Sequence, residues 1–318
     1  MDLSNNILLV PESSLDVRDL LLRAGRSSAE ASKTISTTGF SSIRYAHQKS
    51  LTDFIFDGLS KIDKKHGLFF SDVDAVIVVS QTYDQRIPSV SSRIQSKFNL
   101  QPETFCIDVM DGCAGYIKAL SLASMLAKKG KRKVLVIAGD INSMMTSKAD
   151  IGTRILFGDG VSVSILEPGV TEVDTRISND GDLNNVISCS MSEGLMAMNG
   201  FEVFRFTKNN VPKLINSYLE ETGQSLSSFD LVALHQASKL VVTNICSSLN
   251  FKNTACEDFS CGEIGNLGAG SIGAWLSNIT NLDKKGRLKL LAVGFGSGLS
   301  WGLASVGVNT KINEVIYV

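Results

Sequence analysis

The run DAVIVVS at residues 74–80 is almost wholly apolar and rich in β-branched side chains, and a second such run, KVLVIAG, follows at 133–139. Runs of this kind are typical of strands that are buried on both faces of a sheet. Between them lies DGCAGYIKAL at 111–120, a glycine-rich turn that opens a mostly apolar helix predicted over 113–129. Further strands are predicted at 105–110 and 161–166. Helices and strands therefore alternate, which indicates an α/β fold.

The second half of the chain repeats the order of the first. DLVALH at 230–235 and KLLAVG at 289–294 are again two apolar runs, and their first residues are 59 positions apart, as are those of the first pair. A glycine-rich turn again opens a small-residue helix between them, with the sequence IGNLGAGSIGAWL at 264–276. Shared spacing, turn chemistry and element order indicate an internal duplication. We predict one half over residues 1–170 and the other over residues 171–318.

The composition is that of an ordinary globular protein. The chain has 318 residues, 43% hydrophobic and 20% charged, with a formal net charge of -1. Neither disorder nor electrostatic attraction to nucleic acid or a membrane is therefore expected. No apolar stretch approaches the roughly 20 residues that span a bilayer, and the N-terminus does not resemble a secretory signal. The six cysteines include no CxxC pair, so we expect reduced thiols in the cytoplasm and no metal site. They are at positions 106, 113, 189, 246, 256 and 261.

Three polar residues follow predicted strands or lie in the equivalent turns of the two halves. Cys113 starts the first half's helix, His235 ends a strand of the second half, and Asn266 lies in its glycine-rich turn. Ligands of α/β proteins bind where strands end, so we expect these three side chains to converge. The positive end of a helix favours a thiolate, which predicts a lowered pKa for Cys113.

Each of these residues also has a purely structural interpretation. Cys113 can be a small residue that fills a tight helix start, and His235 a satisfied residue at a strand end. Asn266 can be a turn residue that tolerates a positive φ. The GFGSG turn at 294–298 lacks the lysine and the acidic partner of a nucleotide site, which argues against a bound nucleotide. The residue types alone leave the structural alternatives open.

Taken together, the motifs resemble the β-ketoacyl-acyl-carrier-protein synthase III family, the initiating condensing enzymes of type II fatty-acid synthesis. The resemblance runs over nearly the whole chain, and its motifs stand in the family's order. DVMDGCAGY resembles the nucleophile segment, ILFGDGVSVSIL the strand that follows, and MNGFEVFRF the entry to the second half. ALHQAS resembles the histidine segment, GNLGAGSIG the asparagine segment, and GFGSGLSWG the closing turn.

The resemblance implies a thiolase-like five-layered αβαβα fold, a homodimer, and ping-pong chemistry without a bound cofactor. Cys113 would take an acyl group from an acyl-carrier-protein or coenzyme A thioester. His235 and Asn266 would then hydrogen-bond a malonyl thioester and stabilise the enolate that forms as carbon dioxide leaves. The backbone N–H groups of Cys113 and Ser297 would form an oxyanion hole for the acyl transfer. Ile87 matches the loop residue that reaches the partner subunit's acyl pocket.

The chain departs from the family's pattern where coenzyme A is held. In the acetyl-coenzyme A-dependent members, a tryptophan and an arginine grip the adenine and phosphates, and the matching residues here are Lys33 and Thr37. A further arginine of the family is replaced by Ile151. An arginine presents a bidentate fork to a phosphate, and an aliphatic side chain cannot replace it.

The histidine segment departs in the same way. The family continues with Asn-x-Arg, which lines the pantetheine arm, whereas this chain continues with Ser238, Lys239 and Leu240. We therefore expect a specialised member that receives its acyl group from an acyl-carrier protein or another thioester carrier. An acidic carrier needs a basic patch, although the same residues can equally be solvated surface charges. The candidates are Arg205, Lys208, Lys213 and Lys239.

Two other functions stay open. One is an acyltransferase of the same fold that moves the acyl group from Cys113 to an alcohol or amine. The other is a non-catalytic partner subunit of a heteromeric synthase. The complete set of Cys113, His235 and Asn266 argues against the second, and the enolate-stabilising role of Asn266 argues against the first.

Overall fold

Strands and helices alternate along the chain as the apolar runs predict. This computed structural model describes residues 1–67, 70, 72–190, 192–250 and 259–318. The strands are β1 (Asp2–Val10), β2 (Ser14–Asp16), β3 (Ser42–Arg44), β4 (Ala75–Ser80), β5 (Phe105–Met110), β6 (Val134–Ile141), β7 (Asp159–Glu167), β8 (Asp174–Asn179), β9 (Ile187–Cys189), β10 (Met196–Met198), β11 (Leu231–Leu234), β12 (Leu288–Gly296) and β13 (Ser300–Tyr317). The helices are α1 (Val17–Arg23), α2 (Ser28–Thr38), α3 (Leu51–His66), α4 (Val90–Lys97), α5 (Gly115–Ala127), α6 (Ile151–Arg154), α7 (Gly200–Thr222), α8 (Lys239–Ser248) and α9 (Ser271–Ser277).

Four strands of each half share one topology, and β5 has no counterpart among the described residues of the second half. In the first half the order is β5-β4-β6-β7-β1, and in the second it is β11-β12-β13-β8. β4 is parallel to β6 in the first half, and β11 is parallel to β12 in the second. β7 is antiparallel to its neighbours β6 and β1, and β13 is likewise antiparallel to β12 and β8. The internal duplication expected from the sequence is therefore present in the fold. The boundary at residue 170 falls between β7 and β8 and stays a prediction.

The long strand β13 joins the two halves. Its first part pairs with β12 and β8, and from Gly307 onward it pairs in parallel with β1 of the first half. The result is a continuous nine-stranded sheet among the residues that the structure describes.

Strand residues alternate between a central core and outer cores. On β4, Ile77 and Val79 belong to the central core with α5 and α9, whereas Val76 and Val78 belong to an outer core with α3 and α4. Alternation of this kind follows from the two-residue period of a strand.

β12 in the second half shows the same division. Leu290 and Ala292 face the central core, whereas Leu291 and Val293 face an outer core with α7 and α8. Two helical layers thus flank the two halves of the sheet, and α5 and α9 lie between them. The five-layered αβαβα thiolase-like fold predicted from the sequence is confirmed.

Close packing explains the small residues at the start of the central helices. A Cβ atom on Gly115 would lie 2.4 Å from Val79 Cγ1, and one on Gly273 would lie 2.3 Å from Ser162 Cβ. Larger residues would push these helices away from the strands. α5 begins two residues later than predicted because the Gly115 N–H donates to the Gly112 carbonyl at 2.7 Å in a turn. Among the described residues, no helix has the length and apolarity needed to cross a bilayer.

Candidate active site

One cavity of about 170 Å³ brings the three predicted residues together. Cys113 follows β5, His235 follows β11, and Asn266 precedes α9, and all three line this cavity. The apolar part of its wall includes Phe157 and Phe295. The predicted convergence of residues from the two halves is therefore seen in the structure.

Cys113 packs tightly against the end of β12. A Cβ atom on Gly296 would lie 2.8 Å from Cys113 Sγ, so only glycine fits beside the thiol. The backbone N–H groups of Cys113 and Ser297 hydrogen-bond the sulfur and act to lower its pKa. These two N–H groups come from different halves and border the thiol, so they lie close to where the carbonyl oxygen of a group bound to the sulfur would be.

The pKa of Cys113 shifts in the direction opposite to the sequence-based expectation. Burial has the largest effect and, together with the negative charges of Asp140 and Asp111, raises the pKa of the thiol to about 12. The expected helix-terminus effect is outweighed, because desolvation penalises the thiolate and two carboxylates repel it. The thiol of Cys113 is therefore protonated at neutral pH.

His235 is neutral in this environment. It is 1% exposed, its ring meets Phe295 edge-to-face at 5.3 Å, and burial lowers its pKa to about 3. Its Nδ1 has no hydrogen-bond partner in the described part of the chain. A neutral imidazole has one donor and one acceptor nitrogen, so it can donate a hydrogen bond to a substrate oxygen without carrying a charge.

The side-chain amide of Asn266 has a fixed orientation. Its Oδ1 accepts from the Gly268 N–H at 2.9 Å and from Ser271 Oγ at 3.3 Å. Because a backbone N–H can only donate, the atom it meets must be the amide oxygen. Among the residues that the structure describes, Nδ2 donates no hydrogen bond, so it is available to a ligand. This arrangement favours the interpretation of Asn266 as a hydrogen-bond donor over that of a simple turn residue.

Some of the residues predicted to contact the substrate or its carrier line this cavity, and others do not. Thr37, Ser238 and Leu240 line the cavity. Ile151 does not, because it begins α6 and packs on a separate apolar cluster beside β1. The remaining candidates lie on the surface: Lys33, Lys208, Lys213 and Lys239 are exposed, and Arg205 is paired with Glu202 at 2.5 Å.

Sequence reasoning missed Asp140, a fully buried carboxyl group near the thiol. Its Oδ1 accepts hydrogen bonds from Ser80 Oγ at 2.7 Å and from the Gln81 N–H at 2.6 Å, and Oδ2 has no partner in the described residues. Burial raises its pKa to about 6 despite these donors. The signal was one acidic residue directly after the apolar run KVLVIAG, where the predicted strand ended at residue 139, two residues before the end of β6 at Ile141.

A second cavity of about 350 Å³ adjoins the first. Ile187 lines both cavities, and Gln81 and Ser297 line the second. Four methionines contribute to its wall, and such flexible, polarisable side chains adapt to varied apolar ligands. They are Met110, Met144, Met145 and Met196.

Comparison with known proteins gives one consistent result. The family described as 3-oxoacyl-[acyl-carrier-protein (ACP)] synthase III matches residues 107–181, and the C-terminal part of the same family matches residues 219–308. Together these matches span more than half of the chain.

Individual relatives agree with the family match. Beta-ketoacyl-[acyl-carrier-protein] synthase III of Lactococcus lactis subsp. lactis (strain IL1403) is 29% identical over 257 residues, which are 74% of this chain and 78% of that protein. The enzyme of the same name from Streptococcus gordonii is 28% identical over 86% of this chain and 89% of its own length. The crystal structure of a 3-oxoacyl-(acyl-carrier protein) synthase from Burkholderia xenovorans LB400 superimposes with a TM-score of 0.91 at 26% identity, covering 100% of this chain and 97% of that one.

Proposed function

The chain belongs to the 3-oxoacyl-[acyl-carrier-protein] synthase III family and is a condensing enzyme of that type, and we propose that it works through Cys113, His235 and Asn266. One observation carries this assignment: side chains from both halves of the duplicated fold line one cavity, and a backbone N–H group from each half hydrogen-bonds the Cys113 sulfur. The sequence motifs and the cavity point to the same three residues.

In the first half-reaction we propose that the Cys113 sulfur attacks the carbonyl of a thioester donor. The tetrahedral oxyanion accepts hydrogen bonds from the N–H groups of Cys113 and Ser297, and the donor thiol then leaves with a proton. In the second, a malonyl thioester loses carbon dioxide, and the electron pair of the broken bond forms an enolate. His235 and Asn266 Nδ2 donate hydrogen bonds to the enolate oxygen. The carbanion attacks the acyl carbonyl, the thioester bond to Cys113 breaks, and the released thiolate takes up a proton to restore the thiol.

The donor that fits best is an acyl-carrier protein rather than coenzyme A, and we place the protein in a specialised pathway of the cytoplasm. Thr37, Ser238 and Leu240 line the cavity where the family uses arginine and other coenzyme A contacts, and none of them offers the positive charge and bidentate fork that an arginine presents to a phosphate. A carrier protein presents its acyl group on a pantetheine arm and can gain affinity from exposed lysines such as Lys239. Arg205, which is already paired with Glu202, contributes less to such a patch than the sequence suggested.

Acyl-carrier thioesters are expected to load Cys113 faster than the matching coenzyme A thioester, by roughly tenfold at subsaturating donor. Each lost charge-assisted hydrogen bond to a phosphate weakens coenzyme A binding, even after discounting for exposure. Loading rates are measured by intact-mass spectrometry with both donors at low and high salt. High salt should slow only the carrier reaction, because exposed charges are screened over about 8–10 Å.

The matched variants for this test are Lys239→Glu and, as a remote exposed control, Lys285→Glu. Lys239→Glu should slow loading from the carrier and leave loading from coenzyme A unchanged, whereas Lys285→Glu should change neither. Equal loading rates from both donors, with no effect of salt, would contradict the proposal that an acyl-carrier protein is the preferred donor.

We also propose a homodimer. β5 is an edge strand of the sheet, and its residues Phe105 and Met110 are 42% and 71% exposed. Ile87, on the loop that follows β4, is 84% exposed. An exposed apolar edge strand is a template for pairing with a second copy. Sedimentation velocity at micromolar concentration should give twice the 34.2 kDa of one chain. A single species of 34.2 kDa would refute the dimer.

A further inference from the structure

The proposed oxyanion hole is built from two segments that are far apart in sequence. The Cys113 N–H follows β5 of the first half, and the Ser297 N–H follows β12 of the second half. An oxyanion hole works only when its donors are held in place before the reaction, because misplacement by about 1 Å costs much of the rate. Some contact between the two segments must therefore fix their separation.

The side chain of Gln81 makes such a contact. Its Nε2 donates a hydrogen bond to Ser297 Oγ at 3.1 Å. A Cβ atom on Gly112 would lie 2.5 Å from Ser297 Oγ and 2.6 Å from Gln81 Oε1. The hydrogen-bonded pair thus rests directly on the backbone of Gly112, the residue whose carbonyl carbon is bonded to the Cys113 nitrogen.

Gln81 is itself anchored in the first half. It directly follows β4, and its backbone N–H donates to Asp140 Oδ1 at 2.6 Å. Asp140 is fully buried and also accepts from Ser80 Oγ and Thr82 Oγ1, so the turn at the end of β4 has little freedom to move. A rigidly held backbone makes the side chain of Gln81 suited to position another residue.

We propose that Gln81 is a positioning residue: through its hydrogen bond to Ser297 Oγ and its contact with Gly112, it fixes the separation of the two oxyanion-hole donors. The inference rests on the proposed acylation of Cys113. Gln81 touches neither the thiol nor the substrate carbonyl in this role and acts through the Ser297 turn. It also lines the second cavity, so the same side chain couples the wall of that cavity to the geometry of the reaction.

Gln81→Leu and Ser297→Ala both remove this hydrogen bond while keeping the backbone N–H groups. Each is expected to lower the maximal rate of acyl loading about threefold to tenfold, the usual effect of one neutral hydrogen bond. The donor concentration that gives half the maximal rate should stay unchanged, because the lost interaction serves the transition state. The double variant should lose no more than either single variant, because both remove the same bond.

Gln95→Leu is the matched control. Gln95 also donates one side-chain hydrogen bond, to the Gln101 carbonyl at 3.0 Å, but lies on α4 away from both cavities. The Gln95→Leu variant should take up the acyl group on Cys113 at the wild-type rate. Ser297→Ala removes only one oxygen atom, so it keeps the test informative if Gln81→Leu folds poorly.

The outcomes separate the inference from the proposed function. If the wild-type protein loads and both single variants load equally fast, Gln81 has no positioning role, although the proposed function stands. If the losses multiply in the double variant, the two residues act independently and the coupling is refuted. If the wild-type protein accepts no acyl group from any thioester, both proposals fall together.

Discussion

Replacing Cys113 with alanine is expected to abolish acyl loading, with a loss of at least about 10⁴-fold in condensation rate, because no other group can form the acyl-enzyme. The expectation follows from the place of Cys113 beside Gly296 and two N–H donors. Peptide mapping by mass spectrometry after incubation with a short acyl thioester should place the adduct on Cys113. Cys106→Ala is the matched control, because Cys106 lies on β5 and should be dispensable.

The pH dependence of Cys113 reactivity checks the electrostatics of the same residue. Burial and the neighbouring carboxylates raise the pKa of the thiol to about 12, so the thiolate fraction should grow about tenfold per pH unit up to that value. Alkylation by iodoacetamide is therefore expected to accelerate about 100-fold from pH 7 to pH 9, without a plateau. A plateau below pH 8 would mean that the helix terminus dominates after all. An adduct on Cys106 or Cys261 with Cys113 unmodified would overturn the assignment of Cys113 as the nucleophile.

Asn266→Ala is expected to separate the two half-reactions. Carbon dioxide release from a malonyl thioester should fall about 10²–10³-fold, which is typical for loss of one donor to a developing oxyanion, while Cys113 still loads. Asn266→Asp is a second variant: it keeps the Oδ1 acceptor for Gly268 and Ser271, replaces the Nδ2 donor with an oxygen and adds a negative charge that repels the enolate, so carbon dioxide release should fall at least as far. Carbon dioxide release and acyl loading are measured on the same preparation, so loading serves as the internal control for folding.

Two results would change the conclusion. Undiminished carbon dioxide release by both Asn266 variants would remove this residue from enolate stabilisation. A wild-type enzyme that loads acyl groups but releases no carbon dioxide with any primer would favour the alternative, transfer of the acyl group to an alcohol or amine.

Much of the fold is readable from the sequence because it rests on local patterns. Strand β5 occupies the range predicted at 105–110, and the two pairs of apolar runs became β4, β6, β11 and β12 in equivalent positions of the two halves. A strand buried on both faces needs a continuous apolar run, and a central helix needs small residues where it meets a strand. Both requirements are met by neighbours along the chain. For the same reason Cys113, His235 and Asn266 could be singled out, since each follows a strand or occupies a glycine-rich turn.

What only the tertiary structure decided is the electrostatic and hydrogen-bonding environment of those residues. The raised pKa of Cys113 depends on burial and on Asp140, 27 positions away in a different strand. The orientation of the Asn266 amide depends on which donor meets Oδ1, and the contact of Gln81 with Ser297 spans 216 positions. Desolvation, charge and hydrogen-bond geometry act through space over a few ångströms, so residues remote in sequence determine them. The sequence by itself determined the fold and singled out the three proposed site residues, whereas the packing of the two halves decided their protonation and alignment.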